Sequence, residues 1–455
     1  MTDPAAGQDP AEEVVGLCRD LIRIDTTNTG EPESTAGERE AAEWVAARLD
    51  EAGIESQLLE SAPGRTSLVA RIGGTDPARP ALLVHGHLDV VPAEPAEWSV
   101  HPFSGEVRDG FVWGRGAVDM KDFDAMVLAV VRHWHRTGYR PPRDVVLAFT
   151  ADEEAGSTYG ARFLVDHHAD LLAGCTEAIG EVGGYSYQLD GGADQRLYPI
   201  QIAEKGLDWL RLHASGRPGH GSMLHEDNAV TTLAEAVARL GRHRFPTELT
   251  PAVRQFLAEA ADALGIDGDP DPEAVLAKLG PLARLVGATL RNTANPTRLQ
   301  AGYKENVIPG RATATVDCRT LPGRSDELLA QVRALAGPDI EVEYVQRQPA
   351  VETGFDGPLV EAMVAALRAE DPGARPVPYM FPGGTDAKAF STLGIRCFGF
   401  SPLRLPADLN FPALFHGIDE RVPVEGLQFG VRVLDRFLRS AAGPAGTAGG
   451  GPAEG

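Results

Sequence analysis

The sequence predicts an α/β fold: a three-layer α/β/α catalytic unit with a mixed central sheet, interrupted by a smaller inserted α+β unit. Three observations carry that reading. Short apolar runs recur, Ala81-Leu82-Leu83-Val84 and Val145-Val146-Leu147-Ala148-Phe149, in the pattern of strands buried on both faces. Helical periodicity alternates with them, as in sandwiches of helices on a sheet. The texture then changes near residue 199 and returns after Gly354, so the second unit reads as an insertion into the first.

Taken in order, Val14, Leu17, Leu21, Ile22 and Ile24 form a helical stripe, and Ala41 to Leu49 another. Ser67 to Ile72 reads as a strand, Gly73 to Pro80 as a turn, and 81–84 as a buried strand. Met120 to Trp134 is an apolar helix, residues 144–149 a second buried strand, and Ala178-Ile179-Gly180 the end of a third. Ile200 to Ala214 reads as one strand with mixed faces and Asn228 to Leu240 as a helix. Residues 246–298 are helical and irregular. Strands follow around 299–304 and 311–319, then a helix at 325–336 and a strand at 340–347. A helix at 358–369, a strand at 395–400 and a helix near 424–439 close the chain. The expected organisation is a catalytic unit at 11–198 and 353–440 around an inserted lid at 199–352. The Gly-, Ala- and Pro-rich ends, 1–10 and 441–455, are expected to be disordered because they offer too little apolar surface to bury.

Composition narrows the function classes. A formal net charge of -23 repels phosphate backbones and anionic headgroups, so neither nucleic acid nor membrane is an expected partner. No run of 18 apolar residues is present to span a bilayer, and the N-terminus lacks the basic and apolar regions of a secretory signal. Cys18, Cys175, Cys318 and Cys397 share no C-x-x-C spacing, which suits a reducing compartment. A cytoplasmic protein is expected.

Metal-type ligands stand at the ends of the predicted buried strands, where open α/β sheets place their sites. His85-Gly86-His87-Leu88-Asp89 follows the first strand. A His two residues from an Asp suits a metal ligand with the carboxylate that fixes its tautomer; a solvated turn would read the same. Asp119, in Gly114-Arg115-Gly116-Ala117-Val118-Asp119-Met120-Lys121, precedes a helix, where a carboxylate is commonly only an N-cap. Asp152-Glu153-Glu154 follows the second strand. In extended chain, neighbouring glutamates point to opposite sides, so one can bind metal while the other faces the reacting water; an acidic surface loop is the plainer explanation. Glu181-Val182-Gly183-Gly184 and His416-Gly417-Ile418-Asp419-Glu420 are weak alone. Together the segments supply histidines, several carboxylates and no thiolate, a set that suits zinc, with cobalt or manganese as substitutes. A carboxylate bridging two ions about 3.5–4 Å apart would make a two-metal hydrolytic site. A single-metal enzyme on another α/β fold and a catalytically silent metal binder remain the competing readings.

The five segments, in this order and over about residues 10–440, resemble the aminoacylase, carboxypeptidase G, acetylornithine deacetylase and succinyl-diaminopimelate desuccinylase family of dinuclear zinc hydrolases. The resemblance implies that His87 ligates one metal and Asp89 orients it. It implies that Asp119 bridges both metals, that Glu154 and His416 hold the second, and that Glu181 completes the first. Glu153 is then the general base. Gly216-Arg217-Pro218-Gly219-His220-Gly221-Ser222 is similar to the lid segment whose histidine stabilises the oxyanion, in many members across a homodimer formed by the lid. Asn306, Arg319, Gly384 and Thr385 match positions that hold the substrate carboxylate. The implied reaction is cleavage of an amide bond next to a free carboxylate in a small molecule, with two divalent ions per chain. Deacylation of N-acyl amino acids leads, favoured by Asn292-Thr293-Ala294-Asn295-Pro296-Thr297; exopeptidase cleavage is the alternative.

Overall fold

The computed structural model describes residues 9–31, 34–188, 196–268 and 271–441. The predicted disordered ends lie outside the described residues, except for 9–10 and 441. Those three are ordered: the Asp9 side chain caps the helix Pro10–Ile22 by accepting from Ala11 N–H, and Ala441 ends the last helix.

A mixed ten-stranded sheet organises the larger unit. Its centre is four parallel neighbours, Val145–Thr150, Ala81–His87, Cys175–Gly180 and Arg396–Gly399. Ser56–Ala62 and Arg65–Ile72 extend one side antiparallel, and Arg196–Glu204 the other. One face is covered by Pro10–Ile22, Lys121–Thr137, Pro358–Glu370 and Val424–Ser440, which share a continuous apolar core. A second core under Ala161–His167 and Ala387–Ser391 covers the opposite face. This is the three-layer sandwich that the apolar runs predict.

Register decides where the functional residues emerge. His87 is level with Thr150, and Val84 with Ile179. His87, the Asp152–Glu154 turn and Glu181 therefore leave the sheet together at its carboxyl edge.

The smaller sheet is antiparallel, in the order Thr293–Ala301, Arg311–Thr320, Gly206–Ser215, Ile340–Gln348. Helices Ala229–Arg242 and Ser325–Ala336 pack on it through Leu233, Leu240, Leu328 and Val332.

Two expectations change. The single strand read at 200–214 is two strands, Arg196–Glu204 in the large sheet and Gly206–Ser215 in the small one. Lys205 lies at the crossing and is fully buried. The mostly apolar stretches that flank Glu204-Lys205-Gly206 hide the break from a hydropathy pattern. Residues 246–298 do not belong wholly to the smaller unit either. Helices Pro251–Ala263, Pro272–Leu276 and Leu282–Thr289 bury Phe256, Leu257, Val275 and Val286 in the large core, against strand Ala374–Phe381. The chain therefore crosses between the two sheets four times, and the crossings are tied together. Lys205 Nζ donates to the carbonyls of Ala288 and Arg291 at 3.0 and 2.8 Å. Lys388 Nζ donates to those of Lys205 and Pro349 at 2.7 and 3.2 Å and lies 3.3 Å from Glu204. Burial holds both amines below the ordinary lysine value, Lys205 at about 7.

Removing one partner of a buried ion pair leaves the other charge uncompensated. Lys388→Met should therefore cost about 3–5 kcal/mol of stability, measured by urea unfolding. An unchanged urea midpoint would contradict the pinning role.

Candidate metal centre and substrate cavity

Local backbone geometry sets each side chain. Gly86, between the two histidines of the first motif, has room for no side chain: a Cβ would lie 2.1 Å from Asp124 Oδ1. The strand can thus press onto the helix Lys121–Thr137. His85 is buried against Phe390, ring centroids 4.9 Å apart, and burial pushes its pKa down to about 3. It is a neutral core residue. His87 Nδ1–H donates to the carbonyl of Asp89 at 3.0 Å, which turns Nε2 into the site, where it would offer a lone pair to a bound cation.

The Glu153–Glu154 pair corrects the sequence argument about its form. These residues are not extended. Asp152 takes a left-handed backbone (φ 65°), and 153–155 make a single 3-10 turn. The two carboxylates diverge because the chain turns, not because a strand alternates.

Asp119 sits between two imidazoles. His87 Nε2 is 3.1 Å from Oδ1, and His416 Nε2 is 3.3 Å from Oδ2. His416 Nε2 is also 3.1 Å from Glu154 Oε2, and His87 Nε2 is 3.8 Å from Glu181 Oε2. Donor atoms of His87, Asp119 and Glu154 lie within 4.8 Å of one another, as do those of His87, Glu153 and Glu181. Val182, beside Glu181, has φ 61°, uncommon for a β-branched residue.

Charge crowding shows in the proton affinities. Burial, then Glu181, pushes Glu153 well above the usual carboxylate range, and burial raises Glu181 to about 8 against the pull of His87. Burial and Asp119 raise Glu154. Asp119 is held low: burial opposes its charge, but hydrogen bonds from His416 and His87 outweigh it. Hydrogen bonds to Asp119 and Glu154 raise His416 to about 10. Glu154 Oε1 is buried with no hydrogen-bond partner among the described residues. An orphaned carboxylate oxygen, four crowded carboxylates and two imidazoles suit divalent cations of the zinc type.

Asp89 lies beneath the cluster. Its Oδ1 accepts Glu153 N–H and its Oδ2 accepts Glu154 N–H, both at 3.1 Å, and Asn28 Nδ2 donates to Oδ2 at 2.8 Å. Its carboxylate is 3.5 Å from His87 Nδ1, farther than its own carbonyl.

A cavity of about 580 Å³ opens over the cluster. Asp119, Glu153, Glu154, Glu181 and His416 form its floor, and Gly383, Gly384 and Thr385 one side. The small sheet forms the roof: Leu207 is paired with Arg319 and Gln348, Trp209 with Gln346, and all five line the space. Arg319 donates from Nε and Nη2 to Asp317 at 2.8 and 3.2 Å, and the rest of its fork meets no other hydrogen-bond partner among the described residues. Thr385 is fixed by Glu204, through Oγ1 at 2.5 Å and N–H at 3.1 Å.

His220 and Asn306 do not join the cavity. They sit on the ribbon Gly219–His220 with Val307–Ile308, where Gly221 N–H donates to Asn306 O at 2.9 Å. His220 is exposed and bonded to Ser222 Oγ at 2.8 Å. Sequence reasoning missed Asn28, whose polar stretch follows a helix with no motif to mark it. It also missed the apolar wall of Leu207, Trp209, Leu285, Phe381 and Phe415, each of which reads as ordinary core.

The family model for peptidase family M20/M25/M40 matches residues 83–440. An N-fatty-acyl-amino acid synthase/hydrolase of Xenopus tropicalis is 28% identical over 94% of this chain and 86% of its own. Aminoacylase-1 of Sus scrofa is 26% identical over 96% of this chain and 97% of its own. Among solved structures, an M20 family metallo-carboxypeptidase of Sulfolobus solfataricus superposes with a TM-score of 0.71 at 20% identity, covering 94% of this chain and 99% of that one.

A cation bound only by the folded cluster stabilises it by mass action. Zinc at a hundredfold excess over its Kd should add about 2.7 kcal/mol, read as a higher calorimetric midpoint than in chelator. Equal midpoints would contradict the cluster as a cation site.

Proposed function

The chain belongs to peptidase family M20/M25/M40, and from that premise we propose that it deacylates N-acyl amino acids with the help of two divalent ions. The observation that carries the reading is a single cavity that joins the ligand cluster, the half-buried Glu153, an arginine fork bound on one edge only and an apolar wall.

His87, Glu181 and Asp119 would hold one ion; His416, Glu154 and Asp119 the other, with zinc as the metal. Ions bound there supply a lowered water pKa and a polarised amide carbonyl. The remaining chemistry falls to the chain. Glu153 takes the proton of the attacking water on its carboxylate and returns it to the leaving nitrogen; its raised proton affinity suits a group that must hold that proton between the two transfers. Asp89 keeps the 153–154 turn in place. The remaining donors of the Arg319 fork bind the substrate carboxylate, Asp317 fixing the fork's other edge. Gly384 and Thr385 border the same space. The wall of Leu207, Trp209, Leu285 and Phe415 excludes water and receives an apolar substituent.

His220 would serve as oxyanion donor in the cavity of a second copy. The support for a homodimer is the exposed apolar surface around its ribbon, Met223, Leu224 and Tyr303, and around Leu299 on the edge strand Thr293–Ala301. All four cysteines are free, which fits the cytoplasm, and no helix among the described residues is long and apolar enough to cross a membrane.

Amine release from matched panels of N-acyl amino acids and dipeptides, with zinc and with chelator, tests the reading. Chelator-sensitive turnover of the acyl panel is expected; turnover of dipeptides alone would move the assignment to an exopeptidase. Glu153→Gln should lower kcat about 100- to 10,000-fold with bound metal unchanged. Arg319→Met should raise KM about tenfold or more, and an unchanged KM would remove its role.

A further inference from the structure

One buried carboxylate next to the site has no part in the chemistry above. Glu420 is fully buried, four residues after His416. Its Oε1 accepts Val118 N–H at 2.7 Å and Asp119 N–H at 3.2 Å, and its Oε2 accepts Arg115 Nη1 at 2.7 Å. Its carbonyl accepts Gly114 N–H at 2.9 Å, and Arg421–Pro423 then pairs with Phe111–Trp113. Arg115 is buried in turn, its guanidinium over the Trp98 ring at 5.1 Å and donating to Pro92 O.

We infer that Glu420 is a positioning residue that locks the Asp119 loop to the His416 segment, so that both sides of the Asp119 carboxylate meet their imidazoles. The geometry repeats that of Asp89. Each carboxylate accepts two consecutive main-chain N–H groups of a turn that carries ligands, 153–154 for Asp89 and 118–119 for Glu420. A buried carboxylate that accepts N–H groups orients them strongly. Gly116, at φ 86°, turns the loop tightly, where a Cβ would lie 2.9 Å from Val90 Cγ1. The loop has no regular structure to hold Asp119, and Glu420 supplies that hold from the opposite end of the sequence. Outer groups that orient ligands commonly contribute about 10- to 100-fold to metal affinity.

The inference rests on the cluster holding cations, not on which amide is cleaved. The test uses the full chain with Glu420→Ala, the nearly isosteric Glu420→Gln and, as control, Asp371→Asn. Asp371 is a buried carboxylate paired with Arg196 and Tyr198, away from the cavity. The readouts are affinity for zinc by chelator competition and the visible absorption of the cobalt-loaded protein, which reports coordination geometry. Glu420→Ala should weaken the affinity about 10- to 100-fold and alter the cobalt bands. Glu420→Gln keeps an acceptor for the two N–H groups and should fall between Ala and wild type. Asp371→Asn should change neither readout, whatever it does to the unfolding midpoint. Wild-type affinity and bands in both Glu420 variants would overturn the inference, as would equal effects in Asp371→Asn. A wild-type chain that binds no cation would remove the metal site and the inference with it.

Discussion

Repulsion among buried carboxylates is the constraint that shapes this molecule. Asp119, Glu153, Glu154 and Glu181 converge at one sheet edge with two imidazoles as near neighbours. Two like charges 4 Å apart interact by about 4 kcal/mol at an effective dielectric of 20, so the cluster works against folding. The surroundings oppose it in three ways. Parallel strands in fixed register leave the side chains little choice of position. Asp89 and Glu420 grip the two turns by their N–H groups. Arg65 and Asn28, donating to Asp152 at 2.7 and 3.1 Å, tie the acidic turn to the first residues of the unit. Function and stability conflict here, and the remaining imbalance is what makes the cluster receptive to divalent cations.

The same principle extends to the two sheets. The roof of the cavity belongs to the small sheet and the floor to the large one. Their relative placement depends on the crossings pinned by Lys205 and Lys388, and Glu204 links that junction to Thr385 in the cavity wall. The helices 251–289 add two of the four chain crossings and also bring Leu285 to the apolar wall. An insertion that looks like filler in the sequence therefore both stiffens the junction and borders the substrate.

Much of the fold was legible because its centre is apolar and regular. Strands at 81–87 and 145–150 and helices at 325–336 and 424–440 follow directly from burial periodicity. Strand Ala374–Phe381 was not, since Pro376 and Pro378 argue against a strand and are tolerated at its place beside Arg196–Glu204. The cluster residues were legible because metal ligands must be particular residue types after particular strands, and the structure brings His87, Asp119, Glu153, Glu154, Glu181 and His416 together. Asn28 and the hold of Glu420 on the 118–119 turn were not, because a hydrogen bond to a distant backbone leaves no pattern. His220 and Asn306 were named from their motifs, but within one chain they lie on the ribbon outside the cavity.

The account stands or falls on two cations sharing Asp119. Anomalous diffraction from crystals of the zinc-loaded protein tests it most directly. It should give two peaks per chain, one against His87 and Glu181 and one against His416 and Glu154, with Asp119 in contact with both. A single peak, or peaks that leave Asp119 untouched, would contradict it.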